Sequence, residues 1–203
     1  MQSAKIHLSP QHIKLVTNAE WILTKNEILG HIKSVFEDLY KEQLPLVQSS
    51  LLPDEVLRSG SKISRGENYL GLPWIVLDHP RHFIKGNIFA IRTLFWWGRF
   101  FSTALHISGH WQQWAAPKLA AAFSSLQNNN LHICCNGDEW VHDVTSTSYL
   151  PVTAMTQKEF EKILAEAPFV KIAAHTNINY IENAVEILMK QFGFLTEILK
   201  ESA

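Results

Sequence analysis

The chain has 203 residues, 46% of them hydrophobic and 18% charged, with a formal net charge of −1. That balance is the composition of one folded domain with a sizeable core. It excludes a disordered chain and supplies no overall field to draw the protein to nucleic acid or an anionic membrane.

The amino terminus, MQSAKIHLSPQHIK, has no apolar run of the kind a secretory signal needs. Ser9-Pro10 reads as an N-cap with proline at the first helical position, opening a short helix to about Asn18. Thr24-x-x-Glu27 reads as a capping box. It opens an amphipathic helix whose stripe is Ile28, Leu29, Ile32, Val35, Phe36 and Leu39, and which Pro45 should end or kink. Residues 49–68 read as loop, with one helical turn after Pro53. The Ser- and Gly-rich run RSGSKISRGEN carries Arg58, Lys62 and Arg65, and such a loop can wrap an anionic group with cations and backbone N–H groups.

From Tyr69 the pattern turns to strands. Tyr69 to Leu77 is the first, and Pro73 within it demands an edge position or a bulge. Asp78-His79-Pro80-Arg81-His82 reads as a polar turn. Asn87 to Trp97 and Arg99 to Ser108 are rich in Phe, Ile, Trp and Thr and form a hairpin. A two-residue turn at Gly98-Arg99 would set Trp97 opposite Phe100, Ile91 opposite His106 and Arg92 opposite Leu105. Arg92 would then share a face with Leu94, Trp96, Phe101 and Leu105. Both hairpin faces are apolar, so each needs a cover. Arg92, Arg99, the β-branched content and the turn glycine exclude a membrane span here.

Trp111 to Gln127 is helical, with Pro117 at a break. Leu131–Cys135 and Glu139–His142 read as a second hairpin around Asn136-Gly137. Thr156-x-x-Glu159 caps a helix to about Ala165, Phe169 to His175 is a strand, and Tyr180 to Lys200 is the last helix. Strands joined by tight turns make antiparallel pairs. The expected fold is therefore α+β, a single domain over 1–203 with one antiparallel sheet of five to six strands and helices packed on it.

No strong catalytic or cofactor signature is present: no nucleophile elbow, no phosphate-binding glycine loop, no H-E-x-x-H and no C-x-x-C. Cys134 and Cys135 are adjacent, a poor geometry for a structural disulfide, and two free thiols fit a cytoplasmic protein. The His79/His82 and His106/His110 pairs, with His142 or Asp143, lack the spacing that would require a metal, and no cofactor is expected. Basic and aromatic residues interleave from Tyr69 to Trp97, yet aromatic residues in strands are usually core, so no nucleic-acid partner is expected.

The informative signal is charge where a core is expected. Between Arg58 and Arg99 seven Lys and Arg stand against only Glu67 and Asp78. Arg92 lies inside an apolar strand and must pair with a carboxylate, Asp78 first, or meet an anionic ligand. The candidate ligand-binding residues are Arg92, Arg81, Asp78, His106, Lys62, Arg65 and Trp96. The expected function is binding of a small anionic ligand against the central sheet. The alternatives are a metal-assisted hydrolase using sheet histidines and a structural or interaction protein without catalysis.

Overall fold

The computed structural model describes residues 5–200. The outermost residues of the expected domain, 1–4 and 201–203, lie outside the described residues, and with them the first part of MQSAKIHLSPQHIK. Seven α-helices and seven strands run in the order α1 (Pro10–Val16), α2 (Ala19–Gln48), α3 (Asp54–Leu57), β1 (Lys62–Tyr69), β2 (Leu72–Ile84), β3 (Asn87–Trp96), β4 (Phe100–Ser108), α4 (His110–Ala121), α5 (Phe123–Asn128), β5 (His132–Cys134), β6 (Tyr149–Pro151), α6 (Gln157–Glu166), β7 (Phe169–Asn177) and α7 (Ala184–Glu197). The strands form one antiparallel sheet in the order β1-β2-β3-β4-β7-β5-β6. The class is α+β, as expected, with more strands than the five to six anticipated. The additions are the edge strands β1 and β6.

Side-chain alternation divides the sheet cleanly. Ile75, Leu77, Phe89, Ile91, Phe95, Phe101, Leu105, Ile107, Val170 and Ile172 face the helices, where α2 and α4 to α7 bury them. Among the described residues the opposite face has no helix on it. It carries Val76, Leu94, Trp96, Phe100, Ala104 and Ala173, and the segment between β5 and β6 covers it through Val141, Val144 and Tyr149. Each face is covered, but by different means.

Several local readings change. Lys62–Tyr69 is a strand rather than a loop. Its exposed Lys62, Arg65 and Glu67 suit an edge that must not pair with another chain. The expected polar turn at Asp78–His82 does not form. β2 runs straight through it, with one extra residue accommodated as a bulge between Asp78 and Arg81. Pro73 sits in an internal strand, beside the register shift between Gly66 and Tyr69 of β1 where no ladder donor is demanded of it. The second hairpin is not made by Glu139–His142: β5 pairs with β6 instead.

The main hairpin also differs by one residue. Its loop is Trp97-Gly98-Arg99, with Gly98 at φ +65° and Arg99 N–H donating to Trp96 O at 3.0 Å. Trp96 therefore faces Phe100, and Arg92 faces Ala104 rather than Leu105. Because strand alternation has period two, the one-residue shift turns all of β4 over relative to β3. Phe101 and Leu105 leave the face of Arg92, and Ser102 and His106 join it. Thr93 lies on the helix face opposite Thr103.

α2 starts earlier than the Thr24 box, at the Asn18 N-cap, and passes through Pro45 to Gln48. Its buried residues begin only at Leu29, and α1 buries none. Ile13, Leu15, Val16, Trp21, Ile22 and Leu23 are exposed. Among the described residues no helix is long and apolar enough to cross a membrane.

Candidate functional site

The helix-free face gathers the charged residues that an apolar sheet would not select. Register places Asp78 of β2 beside Arg92 of β3, Arg92 beside Ala104 of β4, and His106 of β4 beside Lys171 of β7. Asp78 is 3% exposed, Arg92 8%, His106 0% and Lys171 1%. Charges this deep must be paired or they destabilise the fold.

Arg92 uses one edge of its guanidinium on Asp78: Nε donates to Oδ1 at 2.6 Å and Nη2 to Oδ2 at 3.4 Å. Trp140 and Phe83 flank it, with the guanidinium carbon 5.4 and 5.7 Å from their ring centres. Nη1 is buried and has no hydrogen-bond partner. The sequence posed a choice between a carboxylate partner and a ligand for Arg92. The geometry gives Asp78 one edge and leaves Nη1 buried and unbonded among the described residues.

Lys171 is held by the cover. Its Nζ donates to Glu139 O at 3.1 Å, to Val141 O at 2.6 Å and to His142 Nδ1 at 3.0 Å. Tyr149 Oη also donates to Val141 O, and the N–H groups of His142 and Asp143 donate to Tyr69 Oη. These bonds fasten residues 139–143 onto the sheet. Burial, then the Arg92 charge, lowers the Lys171 pKa to about 7. Burial, then Lys171 and Arg92, lowers His142 to about 2 and His106 to about 3. Both imidazoles are therefore neutral at pH 7. His106 Nε2 donates to Glu139 Oε2 at 3.2 Å, while its Nδ1 is buried without a partner. Neutral His142 accepts at Nδ1 from Lys171, so its proton sits on Nε2.

Beside this network lies a cavity of about 570 Å³, within the range of small-molecule sites. Arg92, Asp138, His142 and Asp143 supply its charged and titratable lining, and Tyr69, Trp74, Val76, Leu94 and Trp140 supply much of its apolar wall. A smaller cavity of about 330 Å³ next to Asn128–Asn130 and α7 has Lys190 as its only charged lining residue.

The residues expected at the site divide accordingly. Arg92 lines the cavity and Asp78 holds it in place. His106 shares the face, buried under Trp140. Trp96 is fully buried and does not line the cavity; its Nε1 donates to Tyr69 O and so supports a residue that does. The bulge puts Arg81 on this face, opposite Ala90, but its guanidinium lies over Phe83, 4.5 Å from the ring centre. Lys62 stands beside Asp78 in the ladder and remains exposed. Arg65 points to the other face, next to Ile75. A single loop carrying Arg58, Lys62 and Arg65 around an anion does not form, because strand alternation separates Lys62 from Arg65 and Arg58 pairs with Asp54.

Lys171, His142 and Asp143 were not among the expected ligand residues. Lys171 had a legible signal: a lone charge inside FVKIAAH, the same kind of anomaly that singled out Arg92. His142 and Asp143 were weighed only as additions to a histidine metal pair, and no local pattern placed them at a ligand cavity, since the cover that delivers them is irregular. Among the described residues no group of three or more His, Cys, Asp or Glu side chains converges on a point that could hold a metal ion. His79 lies against α2 and α7, its Nδ1 donating to Gln43 Oε1 at 3.2 Å, and His110 is exposed at the start of α4. Comparison of the chain with known family models, curated proteins and solved structures finds no match.

Proposed function

We propose that this protein binds a small ligand bearing an anionic oxygen, in the cavity on the helix-free face of its sheet. The single observation behind this reading is Arg92 Nη1, a cationic donor that is buried, has no hydrogen-bond partner and belongs to a cavity-lining residue. A buried donor left unpaired costs about 1–3 kcal/mol. A ligand oxygen would repay that cost with a charge-assisted hydrogen bond. His142, which lines the same cavity and carries its proton on Nε2, supports the reading as a second donor. The free thiols Cys134 and Cys135 support placing the protein in the cytoplasm. The near-neutral charge and the burial of Trp96 favour a small ligand over a nucleic acid.

Thermal unfolding with phosphate, sulfate, acetate and benzoate tests this. At least one anion should raise Tm in the wild type and lose that effect in Arg92→Met. Equal shifts in both proteins would refute the reading. A second reading, an interaction protein, is favoured by the exposed apolar side chains of α1 and the first turns of α2. Light scattering that finds only monomer at high concentration would count against self-association as that role.

A further inference from the structure

The lining of the cavity narrows the ligand further, because it carries both signs of charge. Arg92 is its one strong cation, and Asp138 and Asp143 are its carboxylates. A ligand with only a negative group would meet Arg92 but also the repulsion of two carboxylates on the same walls. Both acids keep hydrogen-bonding capacity. Asp138 Oδ1 accepts from Trp140 N–H, and Asp143 Oδ1 accepts from the N–H and Oγ1 of Thr145, while among the described residues neither Oδ2 takes part in a hydrogen bond. Neither acid is in an ion pair among the described residues.

We infer that the ligand is a zwitterion with a flat apolar body, of the class of aromatic amino acids. Its carboxylate would accept from Arg92 Nη1, once that side chain turns slightly out of its buried position, and from the Nε2–H of His142 on the same lining. Its ammonium would donate to the free oxygens of Asp138 or Asp143. Its ring would lie against Trp74, Leu94 and the Tyr69 side of the cavity, where aromatic walls also favour a nearby cation. Lys171 is a positioning residue in this arrangement. By occupying His142 Nδ1 it keeps the proton on Nε2, so this lining residue offers a ligand a donor and not a lone pair. The inference rests on the anion reading above and adds the ammonium and the ring.

Calorimetric titration of the whole chain at pH 7.5 with four probes tests it: L-tryptophan, 3-indolepropionate (no ammonium), tryptamine (no carboxylate) and inorganic phosphate. Tryptophan should bind at least about tenfold tighter than either singly charged analogue. Arg92→Met should abolish binding of tryptophan and indolepropionate. Arg92→Lys, which keeps a charge beside Asp78 but not the planar donor edge, should weaken both. Asp138→Asn with Asp143→Asn, both outside the core, should erase the advantage of tryptophan over indolepropionate. Lys171→Met should weaken tryptophan and remove the Nε2-protonated nitrogen signature of His142 in NMR. If indolepropionate binds the wild type as tightly as tryptophan, or only phosphate binds in an Arg92-dependent way, the zwitterion inference is overturned and the anion reading stands. If no probe binds in an Arg92-dependent way, both fall.

Discussion

Removing one member of the Arg92–Asp78 pair should cost far more than removing both. The side chains are only 9% and 4% exposed, and the shorter of their two contacts is 2.6 Å. Breaking a buried pair by deleting one partner typically costs about 3–5 kcal/mol, because the survivor is left charged and unpaired. For Arg92→Met a ceiling can be set. The stranded Asp78 escapes by taking up a proton, and neutralising a carboxyl of ordinary pKa at pH 7 costs about 4 kcal/mol. A loss of about 3 kcal/mol is therefore expected. It should shrink toward pH 5, because the stranded carboxyl has a folded pKa raised above its unfolded value, and the folded variant gains stability as pH falls through that raised pKa. Asp78→Asn should cost a similar amount, since Arg92 cannot neutralise. The double variant should recover about 2–3 kcal/mol relative to the sum of the singles. Urea unfolding followed by tryptophan fluorescence, with unchanged m-values, gives all four free energies. Single losses that add to within about 0.5 kcal/mol would refute an energetic role for the pair.

Lys171→Met should leave the sheet folded but loosen the cover, because Glu139 O loses its donor. The expected loss is about 1–3 kcal/mol, with faster chymotryptic cleavage near Trp140, and unchanged cleavage would remove Lys171 as the anchor. His106 and His142 have folded pKa values depressed below 6.5, so the unfolded chain binds more protons between about pH 6.5 and 3. Stability is thus present above pH 6.5 and should fall as pH drops, by about 1.4 kcal/mol per pH unit for each imidazole near pH 5. A shallower slope in His142→Gln checks this, and an identical slope contradicts it. A Cβ at Gly98 would meet no neighbouring atom, so Gly98→Val should cost mainly backbone strain, about 1–2 kcal/mol. A Cβ at Gly109 would lie 2.2 Å from Asn87 Oδ1 and Gly86 O, so Gly109→Ala should lower Tm well beyond Gly98→Val; the reverse order would invalidate the packing at the β2–β3 turn. Titration of the denatured protein without reductant should find both thiols of Cys134 and Cys135.

Much of the fold was legible from local pattern. The α+β class, the strands that begin at Asn87 and Phe169, to within two residues at their ends, and the Thr156 capping box all follow from propensities and spacings that act over a few residues. The anomaly of Arg92 was legible too, because a charge inside an apolar strand demands a partner whatever the register. Asp78 could be named as that partner because it lies within one strand connection of Arg92 in the chain. Which side chains share a face was decided by tertiary structure. A three-residue loop in place of a two-residue turn brought His106 to Arg92, and a bulge after Asp78 brought Arg81 to the same side. Both are single-residue offsets, and in a structure of period two each reverses everything downstream of it. The cavity itself depends on residues 138–143, irregular backbone held by Lys171 and Tyr69 across roughly thirty and seventy positions of sequence. No local pattern encodes such a segment, because its conformation comes from buried donors on distant strands that must find acceptors once the sheet has formed.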